Sequence, residues 1–287
     1  MFHMGSKIIV GLFLASAMLA QAASADTITV CLDGTCDFTD PAAAVEIASP
    51  GDTIDIAAGT YYLEETVSVV GEQLTLRGAV DSYGEPVTVL DGQGALLVIG
   101  LGWADQAVIE NIVITNGYGD YGGGASFIAS NDVVVRNCHF LDNHANWNGG
   151  GIRLSLSTTL TLSDCQVSGN TAEHPEWGGQ SYGAGAHISG ATLILERTRV
   201  CGNVGSDGDQ ISGSSDMDLI NLGSCITNDC DSCVITELDA DLNSDGIVGV
   251  DDLLIVIESW DGSGSADIDG DGIVGVTDLL VVLSAWG

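Results

Sequence analysis

Asparagine stands at positions 116, 143 and 170, spaced by 27 and 27 residues, and again at 203 after a further 33. The surrounding residues repeat with it. Gly122-Gly123-Gly124-Ala125-Ser126-Phe127 aligns with Gly149-Gly150-Gly151-Ile152-Arg153-Leu154 and with Gly183-Ala184-Gly185-Ala186-His187-Ile188. Val133-Val134-Val135 aligns with Leu160-Thr161-Leu162 and Leu193-Ile194-Leu195, and Cys138 with Cys165. Short apolar or β-branched runs, Gly-rich corners and a fixed period of this size describe a solenoid. Each coil is expected to hold about three short strands and to bury its apolar side only by stacking on the next. Alternation along each strand turns Ala125 and Phe127 inward and Ser126 outward, and Ile152 and Leu154 inward with Arg153 outward. The asparagines should stack at one corner and satisfy backbone groups there. A β-sandwich also has many short strands, but gives no reason for asparagine to recur in register.

The start of the repeat fits a closed end. Asp40 and Pro41 form an N-cap and first-turn pair ahead of a short helix over 42–49, placed to plug the open end of the stack. The strings GDTIDIAAGTYYLEE, LTLRG, VIENIVITNG and the GGGI…NC.F..N coils then carry a family likeness: from Ala42 to Asn203 the chain resembles the pectate-lyase-like superfamily. The resemblance implies an all-β, right-handed parallel β-helix over 26–204. It implies no single activity, because that superfamily holds polysaccharide lyases, glycoside hydrolases and non-catalytic surface proteins.

A second repeat lies at the C-terminus. Asp241-Leu242-Asn243-Ser244-Asp245-Gly246 and Asp267-Ile268-Asp269-Gly270-Asp271-Gly272 open two loops 26 residues apart, each with an acid at its twelfth position, Asp252 and Asp278. Calcium needs six to eight oxygen ligands. Asp241, Asn243 and Asp245, and in the second loop Asp267, Asp269 and Asp271, occupy positions 1, 3 and 5. Ile247 and Ile273 offer backbone carbonyls, and the loops predict two bound Ca2+ ions. Each loop is followed by a helix, expected over 252–260 and 278–286, and neither is preceded by one. The apolar runs of those helices, with Trp260 and Trp286, are expected to pack inside the module. The pattern resembles a type I dockerin over 239–287, which implies attachment to a cohesin-like partner. Val250, Asp251, Val276 and Thr277 stand where that family usually carries its contact residues.

Lys7, the apolar run 8–20 and Ala23-Ser24-Ala25 read as a secretory signal over 1–25, with cleavage after Ala25, or alternatively after Ala22. No stretch is long and apolar enough to span a bilayer. The eight cysteines suit an exported chain and predict disulfides, Cys31 with Cys36 as the local pair. For Cys225, Cys230 and Cys233 zinc is the competing reading, and Cys138 and Cys165 also suit stacked inward thiols. Residues 205–238 read as the end of the solenoid plus a cysteine-containing linker. Forty acidic against six basic side chains, a formal charge of −34, oppose binding to nucleic acid and other polyanions.

The 33-residue coil carries its extra length in 171–182. That insertion would set His174, Glu176 and Trp177 beside a row holding Arg153 and His187, with Trp147 and Tyr121 in the corresponding earlier loops as sugar-stacking residues. Arg153, His187, His174 and Glu176 are the catalytic candidates. No glycosidase-type Gly-His-Gly stands with its acid pair; Gly185-Ala186-His187 is the nearest approach. Two functions remain open. One is a secreted β-helix protein, associated with polysaccharide or a surface and attached through its calcium module. The other is a polysaccharide lyase or glycoside hydrolase working on the Arg153/His187 face.

Overall fold

The computed structural model describes residues 25–71, 73–173, 181–233, 240–243, 247–269 and 272–286. Its body is a stack of coils in parallel strands. One turn runs through Val133–Arg136, His139–Leu141, His144–Asn148 and Ile152–Ser155, then rejoins the first sheet at Thr159–Ser163. Sheet A has eight strands, from Thr27–Val30 to Asp218–Leu222, and sheet B seven, from Gly59–Tyr62 to Cys225–Thr227. Sheet C has six, from Val67–Val70 to Ile211–Gly213. A fourth sheet, D, holds the four short strands Tyr118–Tyr121, His144–Asn148, Thr171–Ala172 and Val204–Gly205. The central coils therefore carry four strands rather than three. The coil pattern also continues through Thr227, so the cysteines at 225 and 230 lie in or beside the last turn.

Alternation fills the bore. Val133, Val135, Phe140, Leu154, Leu160, Leu162, Ile188, Leu193 and Leu195 are all fully buried, each contributing roughly 1.5–3 kcal/mol. Between sheets A and B the chain turns through one left-handed residue per coil: Asn111, Asn137, Asp164 and Arg197, with φ of 62°, 49°, 54° and 43°. Asn and Asp tolerate that region. Arg197 does not favour it, and it is held by a two-pronged pair with Asp164, Nε to Oδ1 at 2.8 Å and Nη2 to Oδ2 at 2.7 Å.

The amide ladder is present, with one correction. Asn143 Nδ2 donates to Asn170 Oδ1 (2.9 Å), and Asn170 Nδ2 to Asn203 Oδ1 (2.8 Å). Asn203 in turn donates to Gln210 Oε1 at 2.8 Å, and Gln210 Nε2 to Asn228 Oδ1 at 2.8 Å, so a glutamine links the ladder to an asparagine of the last coil. Asn116 is not a member: Gly117 N donates to Asn143 Oδ1, while Asn116 turns outward to Asp91 Oδ2. The register explains this, because Tyr118 pairs with His144 at an offset of 26, which sets Asn116 beside Asp142.

Helix α1 (Pro41–Ile47) closes the N-terminal end, with Asp40 Oδ1 accepting from Ala42 N at 3.0 Å and Ala44 and Val45 buried in the common core. Disulfides join Cys31 to Cys36, Cys201 to Cys230 and Cys225 to Cys233. That pairing removes the zinc reading. Cys138 and Cys165 are buried thiols bonded to the carbonyls of Arg136 and Ser163, and burial pushes both pKa values up, Cys165 to about 12.

Helices α2 (Val250–Glu258) and α3 (Val276–Ser284) form the C-terminal module. Both start two residues earlier than the motif suggests, because Asp252 and Asp278 sit at their third positions and accept from Gly249 N and Gly275 N. Val256, Val274, Val281 and Val282 make its core. Trp260 and Trp286 lie outside that core, 41% and 45% exposed, which corrects the packing role expected of them. The module core is continuous with Leu222 and is packed by Ile194 and Ile220, outward residues of sheet A.

Candidate functional site

Sheet C delivers the expected row. Arg153 pairs in register with His187, and the row runs Ser126, Arg153, His187, Ser212. Sheet D, missed in the sequence, supplies the rest. Between Gly119 and Tyr121 its register shifts: Tyr118 faces His144 at an offset of 26, Tyr121 faces Asn148 at 27. The later strand thus carries one extra residue, a β-bulge, which re-aims the side chains around it. Trp147 lies at that bulge and stacks on Tyr121, with centroids 6.3 Å apart at 17°. Tyr118 stacks on His144 at 5.5 Å and 14°. The Arg153 guanidinium sits 4.8 Å from the Tyr121 ring centre, a cation–π contact that ties sheet C to sheet D. Tyr182, bridged to Asn148, continues the strip.

Four rings, Tyr118, Tyr121, Trp147 and Tyr182, thus lie on or beside sheet D and are 38–44% exposed. Close packing below keeps them in place. Gly122 and Gly149 turn with φ of 75° and 67°, and a Cβ at Gly122 would press on the Arg153 side chain. Tyr118, His144 and Tyr182 were not singled out in the sequence; for the first two the signal is an aromatic ring just after the aligned corners Gly117 and Asn143, and Tyr182 has none. His174, Glu176 and Trp177 lie outside the described residues.

His187 is half-buried, and its Nδ1 is buried without a partner. Burial first, then the charge of Arg153, lowers its pKa, with Asp207 opposing. The imidazole is therefore neutral at pH 7. The Asp207 carboxylate is engaged by the backbone N–H groups of Gly183 and Asp209. Among the described residues no carboxylate is hydrogen-bonded to Arg153 or His187. The face offers stacking surface, one cation and a neutral imidazole, without an acid–base pair in contact.

The C-terminal loops form a second candidate. Carboxylate oxygens of Asp267, Asp269 and Asp278 lie within 4.8 Å of one another. Asp267 Oδ1 is a buried oxygen with no donor. A buried acceptor facing two more carboxylates suits a hard cation, so these residues fit calcium. In the first loop Asp252 is buried and accepts from Gly249 N and Asn243 N; these bonds hold its carboxyl below the usual range. Asp245 and Asp271 lie outside the described residues. Asp241, Asn243, Ile247 and Ile273 stand in the same two loops.

Residues 91–222 match the model of a family described as a right handed beta helix region. The body is accordingly a right-handed β-helix. Among solved structures, the pectin methylesterase from carrot is 12% identical with a TM-score of 0.39, over 68% of this chain. The chain spans 66%, just under two thirds, of that enzyme's length. The deglycosylated pectin methylesterase from Aspergillus niger is 17% identical with a TM-score of 0.39, over 74% of this chain and 83% of the enzyme. No curated protein sequence matches this chain. No helix among the described residues is long and apolar enough to cross a membrane.

Proposed function

We propose that the protein is a secreted, glycan-binding β-helix attached to a partner through a calcium-loaded, dockerin-like module. The observation that carries the glycan reading is the stacked pair Tyr121–Trp147 with Arg153 over the tyrosine ring. The half-exposed rings offer fixed apolar surface against which a sugar can pack, while Arg153 and His187 supply hydrogen-bond donors beside it. In the module, Asp241, Asn243, Asp245, Ile247 and Asp252 would hold one Ca2+, and Asp267, Asp269, Asp271, Ile273 and Asp278 the other. A cohesin-like domain is the partner that such a module would take. Two disulfides in the last coil and one at the first suit an oxidising, extracellular setting.

The test is a binding screen of the full secreted chain against neutral and acidic polysaccharides, with product analysis of every hit. Trp147→Ala should weaken binding about two- to tenfold, the equivalent of the roughly 0.5–1.5 kcal/mol that an aromatic pair contributes beyond its area. Cleavage of any hit would move the assignment to the lyase or hydrolase reading. Absence of binding to every polysaccharide would end the glycan reading altogether.

A further inference from the structure

A groove lies on the outer face of sheet B and shares no residue with the aromatic strip. Its floor is the in-register row His139, Gln166, Arg199. Its side wall is the line of left-handed turn residues Asn137, Asp164 and Arg197. Its end is closed by the turn 81–85, in which Asp81 Oδ1 accepts from Tyr83 N and Glu85 N. Asn137 Nδ2 donates to Gly84 O at 2.9 Å and clamps that turn onto the stack. Glu85 Oε2 then comes within 3.9 Å of His139 Nε2. The open groove has a volume of about 510 Å³, within the range of roughly 300–1,000 Å³ of small-molecule sites.

The charges are arranged along the floor. Arg197 is neutralised by Asp164. Among the described residues the Arg199 guanidinium has neither ion pair nor hydrogen bond, so a cation stands open at one end. Glu85 stands at the other, beyond His139, which is itself two strand spacings or roughly 10 Å from Arg199. Between them lie the imidazole of His139, kept neutral by burial against the pull of Glu85, and the Gln166 amide. A guanidinium fork matches a carboxylate with two parallel bonds. Glu85, by contrast, repels an anion and accepts from hydroxyls. The groove is therefore matched to a molecule with a carboxylate at one end and hydroxyls along its length. The overall charge of −34 does not forbid this, because at physiological salt fields are screened beyond roughly 8 Å.

We propose that this groove binds a small hydroxylated carboxylate, the carboxylate on Arg199 and the hydroxyls on Gln166, His139 and Glu85. The test is calorimetric titration of the full chain with glucuronate, gluconate, glucose and acetate. At least one of the two acids should bind tenfold or more tighter than both glucose and acetate. A preference for glucuronate or for gluconate tells a ring from an open chain. Arg199→Gln should bring the preferred acid down to the level of glucose without moving the melting temperature, since the Arg199 side chain contacts no partner that folding needs. Equal binding of glucose or of acetate, no binding of either acid, or full affinity in R199Q would each overturn the proposal. Because the site shares no residue with the aromatic strip, failure of the polysaccharide screen leaves this result unaffected.

Discussion

Asn170 shows how much one buried amide holds. It donates to Phe140 O and Asn203 Oδ1, and its Oδ1 accepts from both the backbone and the side chain of Asn143. Asn170→Ala would take the side-chain partner from Asn143 N and Phe140 O on two neighbouring segments, each costing about 1–3 kcal/mol when left unpaired in the interior, while Asn203 Oδ1 keeps the Asn170 N–H. A loss of about 3 kcal/mol in urea unfolding is expected, and a loss below about 1 kcal/mol would show that water fills the gap. Glu110 makes a second case. Burial raises its pKa, but the bonds to Arg77 and Arg136, at 2.6 Å each, outweigh this and leave it below the ordinary 4.5. A depressed carboxylate stabilises the fold fully above its unfolded pKa and loses that contribution as pH falls through the folded value. Urea midpoints of wild type and Glu110→Gln should therefore differ most at neutral pH and converge in acid well below 4.5. Parallel curves at all pH values would contradict the linkage.

At the scale of the element, the decisive feature is the bulge in His144–Asn148. Coils before it are offset by 26 residues and coils after it by 27, as the pairs Phe140 with Ile114 and Ile152 with Ala125 show. Deleting Asn146 would restore a single register and swing Trp147 off Tyr121. Glycan binding should then fall at least as far as in W147A, while the melting temperature changes little because the bore residues keep their partners. Retained binding in the deletion variant would separate the aromatic stack from function. The sequence was legible where burial enforces periodicity: the inward rows, the α1 cap and the pairing of Arg153 with His187 all followed from alternation. It was illegible where that pressure is absent. Sheet D strands are two to five residues long with half-exposed side chains, so they read as loops. The single-residue shift hid in a spacing that counted Asn116 as a rung, and Gln210 entered the ladder between Asn203 and Asn228 with an amide of another length. The sheet B groove left no local trace, because Glu85 and His139 meet only when a turn from an early coil folds over a later one.

Across the whole molecule, the C-terminal module and the last strand of sheet A share an apolar cluster separate from the bore of the solenoid. Leu222 belongs to the core of the C-terminal module, and Ile194 and Ile220 pack against it from the outer face of sheet A. An ion that binds only the folded loops stabilises them by mass action, about 2.7 kcal/mol at a concentration 100 times the dissociation constant. Because Asp267, Asp269 and Asp278 repel one another without it, chelation should loosen α3, and loosening α3 uncovers Ile194 and Ile220. The last coil is then expected to lose protection along with the module. Amide exchange in strand Asp218–Leu222 should rise on adding a chelator, while strand Val133–Arg136, deep in the stack, stays protected. Ile220→Asp should break this link: calcium would still bind the loops, but exchange in the last coil would no longer depend on it. If Asp218–Leu222 exchanges equally with and without calcium in the wild type, the module is energetically independent of the coil it rests on.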